Sequence, residues 1–511
     1  MKAIYKSTFM GLLGAVTLFS SCSEDRLETS PSTAVATGEM TSSSSSAIAA
    51  VDGIYRMMYS TGCTTGWTHE EFGQQAFTLA ADLMGEDHIQ AKSGSGWFYY
   101  DYLYQVKGDY THTSGRPYGV WNYYYTNIAN ANYIISAEET MSGDPSSVKY
   151  VVGQAYAIRA FSYFMLAQWY ARTLVGHENE PCVPIYTEPT DKNTQGKPRE
   201  TVAEVYKQID SDIKKAEELL TATEHSRNSI SHIDAATAYG IHARIALVEE
   251  DWSTAKACAE NAIDLTDAYI CNVGQFAGLN SVNAGNVMWG MKIIADQVTS
   301  YAGFFTHMDA DMGKYGASAR QQITRDLYAK MGANDARRAW WNPEDAANGA
   351  NGYQQEKFKF VNYATWEGDY VFMRVEEMYL MKAEAECMLG DDASAQQTLA
   401  TLMSQRDPDY SCTKTGKEMG TTTDVETGSL REEIINQRRI ELWGEFGRIY
   451  DIRRLHQGFT RTTAQGHPSA ATRTNSGTAD PESYKWVMVI PQSEFDGNAN
   501  MDPSTDQNPF D

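Results

Sequence analysis

Helical spacing of apolar residues dominates the readable stretches of this chain. In YVVGQAYAIRAFSYFMLAQWYAR, Ile158, Phe161, Met165 and Trp169 recur at intervals of three, four and four, which predicts one apolar face of a long helix. Pro181, Pro184 and Pro189 then end regular structure. TVAEVYKQIDSDIKKAEELL opens on Thr201 with Glu204 three residues on, a capping-box pattern, and carries an apolar stripe through Val205, Ile209, Ile213, Ala216 and Leu220. A repeat follows. Segments 238–263 and 378–403 align at a constant offset of 140, matching Tyr239 with Tyr379, Ala243 with Ala383, Val248 with Met388, Asp251 with Asp391 and Ala255 with Ala395. Each copy reads as helix, tight turn, helix, with small residues that allow close approach, a tetratricopeptide-like pattern. The copies are far apart, so helix pairs separated by long insertions are expected rather than a simple solenoid.

Segments 62–125 and 272–370 lack this period and are rich in Gly, Asn, Thr and aromatic residues. They predict long loops with short strands, the kind of segment that carries binding groups on a rigid scaffold. At the other extreme, Phe9 to Phe19 is an unbroken apolar run after Lys2 and Lys6, ending at Ser20-Ser21-Cys22. It is too short to span a bilayer and has the length of a secretory signal core. The Ser/Thr-rich stretch 26–47 reads as a polar tether. The expected organisation is a signal peptide over 1–21, a cysteine and tether over 22–47, and one domain over 48–511. Within that domain the mostly α scaffold covers about 48–270 and 371–511, around the loop-rich insertion 272–370.

Charge and composition narrow the function. The chain of 511 residues has a formal charge of −24; loss of residues 1–21 removes two lysines and leaves 490 residues at −26. Such a surface disfavours nucleic acid. Tyr is abundant, 31 residues against 17 Phe, with 11 Trp, and amphipathic rings suit a half-wet binding surface. Six cysteines follow Cys22, none in a CxxC pair and none at zinc-site spacing; buried free thiols with at most one bridge are expected.

The run ending in Ser20-Ser21-Cys22 resembles a bacterial lipobox, with Phe19 where Leu is usual, which implies lipidation of Cys22. The rest of the chain resembles the SusD-like (RagB/SusD) outer-membrane lipoproteins. CSEDRLETSP is similar to the family's opening, and Arg159-Ala160-Phe161 with Tyr163 to its arginine-aromatic helix. Arg374, Glu377, Tyr379, Leu380 and Ala383-Glu384-Ala385 match R-x-x-E-x-Y-L-x-x-A-E-A. INQRRIELWGEFGRIYDIRRL matches a charged segment of the family, with Phe446 at a position usually Gly and Gly447 one later. Ile490, Pro491, Glu494, Asn498, Gln507, Asn508 and Pro509 match its ending. The resemblance implies a non-catalytic glycan-binding lipoprotein on the outer face of the outer membrane, the lid of a SusC-type TonB-dependent transporter, with no cofactor. Ser23-Glu24-Asp25 resembles the export signal of such lipoproteins. In the charged segment, the spacing of Glu441, Glu445 and Arg448 favours ion pairs along one helix face rather than an acid/base pair.

Sugar rings stack on Trp and Tyr, and their hydroxyls take carboxylates and amides. Gly94 and Gly96 loosen the chain before Trp97-Phe98-Tyr99-Tyr100, and the resemblance places a stacking ring here. Trp97 is the first candidate, then Tyr100, with Asp87 and Glu86 as hydroxyl acceptors. Tyr123-Tyr124-Tyr125 ahead of a helix reads mostly as core. In the insertion, Tyr301 and Trp341 are further candidates. His69-Glu70-Glu71 and Glu86-Asp87-His88 could face a cation but lack EF-hand spacing. Two other readings stand beside glycan capture. A surface glycoside hydrolase would need two carboxylates about 5–9 Å apart, and a lid could instead capture peptides.

Overall fold

The computed structural model describes residues 40–62, 64, 66, 69–105, 110–191, 193–298, 302–312, 314–344 and 352–510. The signal segment, Cys22 and Tyr301 lie outside them. The polar tether stops short of residue 47. Ser43 caps α1 (Ser44–Met57) through reciprocal hydrogen bonds with Ser46, and Ala47 is buried, so the last serines of the run start the first helix.

Segment 62–125 is more helical than its composition suggests. It contains α2 (Gln74–Leu83), β1 (His88–Gln90), α3 (Tyr99–Leu103) and the first half of α4 (Gly115–Ser136), so Tyr123–Tyr125 lie inside a helix rather than ahead of one. All ten residues of α2 are buried, so no amphipathic stripe announces it. Helix α5 (Pro145–Tyr170), by contrast, is announced by its stripe but is buried well beyond it. Ile158, Phe161, Met165 and Trp169 are buried as expected, but so is every other residue from Tyr150 to Tyr170 except Tyr156. Helices α4 and α6 (Val202–Thr221) cover α5 on its flanks. At the start of α6 the Thr201 hydroxyl accepts from the Glu204 amide, while the Glu204 carboxylate turns to Lys207 at 3.3 Å, so only half of the capping box forms.

The repeat becomes two helix pairs, α7 (Ala235–Glu249) with α8 (Trp252–Leu265), and α12 (Val375–Met388) with α13 (Asp392–Met403). Asp251 and Asp391 cap α8 and α13 identically, accepting from the Thr254 and Ser394 amides. Distance along the chain did not separate the pairs: α8 packs directly on α12, as the next repeat of a solenoid would. The stack therefore runs α4, α5, α6, α7, α8, α12, α13, with the insertion looped out between α8 and α12.

That insertion holds β2 (Val287–Met291), α9 (Phe304–Met308), α10 (Tyr315–Ser318), β3 (Gln321–Ile323), α11 (Arg325–Ala329), β4 (Trp341–Asn342) and β5 (Gln354–Gln355), and ends in β6 (Tyr370–Arg374). Among the described strands the pairing is antiparallel, in a sheet of order β1-β3-β5-β4 and a ribbon of β2 with β6. β1 from the N-terminal half thus pairs with the insertion, His88 opposite Ile323. Among the described residues, four more α-helices follow: α14 (Leu430–Glu441), α15 (Arg448–Arg454), α16 (Asn475–Thr478) and α17 (Gln492–Gly497).

The charged segment is not one helix. It breaks between Glu441 and Arg448, with Gly447 at φ 108°, where an added Cβ would sit 2.8 Å from that of Ala81. Glu441, Glu445 and Arg448 consequently find partners in other elements. Glu441 takes Arg374 (3.1 Å), Arg406 (2.9 Å) and Arg337 (3.3 Å); Glu445 takes Arg374 and Lys357; Arg448 takes Glu86. A second set joins Arg438 to Asp451 and Glu377, Arg244 to Glu377, and Arg454 to Glu384. All these groups are buried, and removing one partner would leave a buried charge uncompensated. Cys182, Cys258, Cys271 and Cys387 are buried free thiols, and Cys412 is a half-buried one; Cys63 lies outside the described residues.

Candidate ligand-binding site

The loop between β1 and α3 is held from below by Phe98. This residue has φ 60°, is buried, and packs edge-on against His307 and against Phe72. A non-glycine residue at positive φ is strained and persists only where its surroundings fix it. Here the Phe98 amide donates to Glu70 Oε1 at 2.6 Å, and the Arg116 guanidinium lies 5.1 Å from its ring centre while pairing with Asp101 at 2.8 Å. Gly96, at φ 93°, lets the chain turn just before Trp97.

Trp97 is half-buried, and its ring stacks on His69 with centroids 4.6 Å apart and planes 6° apart. Tyr315 closes the group edge-on, its hydroxyl 2.7 Å from His69 Nδ1. His307 Nε2 donates to the His69 carbonyl at 2.8 Å and stacks on Phe72. Burial pushes the His307 imidazole down to about 3, so it is neutral at physiological pH. Tyr100, on the next turn, is 39 % exposed. The result is a braced aromatic group, Trp97, His69 and Tyr315, assembled from three segments more than 20 residues apart.

Two sequence candidates among the carboxylates are corrected. Glu86 and Asp87 are buried and face inward, Asp87 accepting from Arg439 at 2.7 Å and Glu86 from Arg448 at 2.9 Å. Burial would raise the Glu86 carboxyl, but Arg448 and Arg439 outweigh it and hold it at about 2. These groups fix α15 and α14 to the end of α2 and are not available to sugar hydroxyls. Trp341 is also corrected: it is 2 % exposed and packs edge-on against Trp443 in the core. The suggested cation sets dissolve likewise. His88 Nδ1 meets Asp82 at 2.5 Å and its Nε2 meets Gln321 at 3.0 Å, while Glu71 accepts from the Thr64 amide.

A second surface offers more room. A groove of about 340 Å3 runs between α4, the 186–196 loop and α17, walled by Trp121, Tyr125 and Tyr186 and edged by Asn122, Gln195 and Ser493. Tyr123 and Tyr124 are core, as the sequence suggested, but Tyr125 turns to this groove and donates to the Pro184 carbonyl at 2.7 Å. Glu494 accepts from Trp121 Nε1 at 3.2 Å and from Asn498 at 2.7 Å, which ties α17 to the groove wall. Tyr315, Tyr186 and Trp121 are lining residues that sequence reasoning did not single out, and it placed His69 only in a possible cation set; none carries a local signal for these contacts, because each meets its partners only through folding.

Two family models match the chain in succession. One, described as "Starch-binding associating with outer membrane", covers residues 70–247, and one described as "SusD family" covers residues 306–510. The chain belongs to the SusD family. A SusD-like protein P2 of Formosa agariphila is 25 % identical over 502 residues, spanning 89 % of this chain and 91 % of that one. A SusD-like carbohydrate binding protein from Bacteroides vulgatus superposes with a TM-score of 0.75 at 25 % identity, covering 90 % of this chain and 97 % of that one. A surface glycan-binding protein of Bacteroides thetaiotaomicron, solved in complex with laminarihexaose, has a TM-score of 0.64 at 15 % identity, over 90 % of this chain and 98 % of that one. The mostly α, repeat-based architecture is therefore that of the SusD family. Among the described residues, no helix is long and apolar enough to cross a membrane.

Proposed function

We propose that this protein captures oligosaccharides at the cell surface, without cleaving them, and delivers them to a SusC-type TonB-dependent transporter of the outer membrane, where lipid on Cys22 holds it. The observation that carries the reading is the Trp97–His69–Tyr315 group: a half-exposed indole braced by a parallel imidazole and a buried, strained neighbour. A rigid ring of this kind stacks on the C–H face of a pyranose at little entropic cost. The SusD family membership, and the laminarihexaose bound by a protein of the same fold, support the ligand class. The engagement of Glu86 and Asp87 by arginines favours binding over hydrolysis at this loop.

The test is a glycan array followed by calorimetry on whichever glycan binds. Trp97→Ala is expected to weaken that glycan by 10-fold or more while leaving the melting temperature within a few degrees, since Trp97 lies at the surface (about 1–3 kcal/mol for losing one stacked ring). Tyr125→Ala and Tyr186→Ala serve as comparisons for the groove. If they abolish binding and Trp97→Ala does not, the ligand sits against α4 instead. Release of shorter products from any bound glycan would overturn the non-catalytic reading.

A further inference from the structure

Three consecutive scaffold helices each aim one metal-competent side chain at a common point. Glu217 comes from α6, His242 from α7 and Cys258 from α8, and among the described residues their ligand atoms converge within 4.8 Å of one another. His242 Nδ1 lies 2.7 Å from Glu217 Oε1, and Cys258 Sγ lies 4.0 Å from that same oxygen. The side chains of His242 and Glu217 are 4 % and 12 % exposed, and Cys258 is buried.

A second observation concerns the far side of the His242 ring. His242 Nε2 is buried with no hydrogen-bond partner, and so is Asp210 Oδ1, two turns earlier on α6. The two atoms face each other at 4.0 Å, while the other Asp210 oxygen holds Lys214 at 2.5 Å. The pairing is mismatched as it stands. A neutral imidazole that donates from Nδ1 to Glu217 presents a bare lone pair at Nε2 to a carboxylate oxygen, acceptor against acceptor. Either a second proton on the ring or a cation on Nδ1 resolves this, and the Cys258 sulfur converging on the same point favours the cation. The imidazole proton then resides on Nε2 and points at Asp210, the arrangement in which a metal-bound histidine donates its other N–H to a carboxylate.

We propose that Glu217, His242 and Cys258 bind Zn2+ and that Asp210 orients His242, so that the ion ties α6, α7 and α8 together. The donor set of one thiolate sulfur, one imidazole nitrogen and one carboxylate oxygen suits Zn2+; Ca2+ would require six or more oxygens. Around a tetrahedral zinc such donors sit roughly 3.3–3.6 Å apart, given bonds of about 2.0–2.3 Å. The observed 2.7 and 4.0 Å bracket that range and the remaining separation is within 4.8 Å, so side-chain shifts of up to about an ångström complete the site. On binding, the Cys258 thiol releases its proton to solvent and a sulfur–zinc bond forms. No oxidation or reduction takes place. A water or short ligand occupies the fourth position.

The test uses the full mature chain, stripped with chelator and titrated with Zn2+ by calorimetry and with Co2+ by absorption spectroscopy. About one equivalent of Zn2+ is expected to bind, with a thiolate-to-cobalt charge-transfer band in the near ultraviolet and a melting temperature raised by a few degrees. Cys258→Ser is expected to abolish the band. Asp210→Asn, a surface-side change that keeps all three ligands, is expected to weaken zinc by about 10–100-fold. Failure of the wild-type chain to bind either metal would overturn the proposal. So would a cobalt band that persists in a folded Cys258→Ser variant, which would assign the thiolate to another cysteine.

Discussion

At the scale of single residues, buried ionisable groups decide the behaviour of the candidate site in acid. His307 braces the His69 backbone through its Nε2–H, and burial rather than this hydrogen bond keeps the ring neutral. Its folded value near 3 lies below the ordinary value of 6.5, so the unfolded chain takes up the proton first. The stability it contributes is complete above pH 6.5 and declines as pH falls from 6.5 toward 3. Glu86, held at about 2 against an ordinary 4.5, contributes stability above pH 4.5 that declines as pH falls toward 2. Melting temperature measured from pH 7 to 3 should therefore fall in two stages. His307→Gln should shrink the upper stage without removing it, because burial also lowers His467 and His232, and should leave the lower stage. An unchanged upper stage in that variant would assign it to another group. Phe446 shows how a departure from the family pattern is absorbed: its ring accepts the Arg244 guanidinium at 4.5 Å, and Gly447 takes the positive-φ position one residue later.

At the scale of elements, the repeat is legible because both copies need the same local device. A helix that turns back tightly must satisfy the amides of its first turn, and an aspartate does so at both Asp251 and Asp391. Asp251→Ala and Asp391→Ala should each cost about 1 kcal/mol, and the double variant about 2, because the two caps lie in separate turns. Chemical denaturation of the three variants checks both size and additivity. Helix α2 was less legible. Buried on every side, it presents no polar face for a period to reveal and reads as part of a loop-rich segment, whereas in the equally buried α5 the spacing of the larger apolar residues still marks the helix. The break at Gly447 was missed for a related reason. Alternating charge looks like a solvated helix face, but these charges are neutralised inside the molecule, between elements.

At the scale of the whole molecule, the motifs that mark the family turn out to be held together by buried ion-pair networks. Arg374 of one motif meets Glu441 and Glu445 of the next, Glu377 meets Arg438, and Glu384 meets Arg454. The chain's ending is fixed in the same manner, Gln507 bonding both the amide and the carbonyl of Ile490, and Asn508 donating to the carbonyls of Tyr170 and Met488. The proposed membrane attachment is also a whole-molecule property, because it decides where the ligand face is displayed. Cys22→Ala is expected to move the protein from the membrane fraction to the soluble one while leaving glycan affinity unchanged. Retention in the membrane fraction would argue against a lipid on Cys22.

The sequence alone determined the helical class, the tetratricopeptide-like pairs, the family and the loop that carries Trp97, because each rests on residues close in the chain or on motifs readable in order. Tertiary structure decided which side chains are available. Glu86, Asp87 and Trp341 look like ligand contacts in a linear reading, and they became core once arginines and tryptophans from distant elements closed over them. His69 and Tyr315 became partners of Trp97, and Glu217, His242 and Cys258 became neighbours, only when separate segments packed together. The reason is physical. Local spacing fixes which face of an element is apolar, but the burial and pairing of a charge depend on what folds against it, often hundreds of residues away.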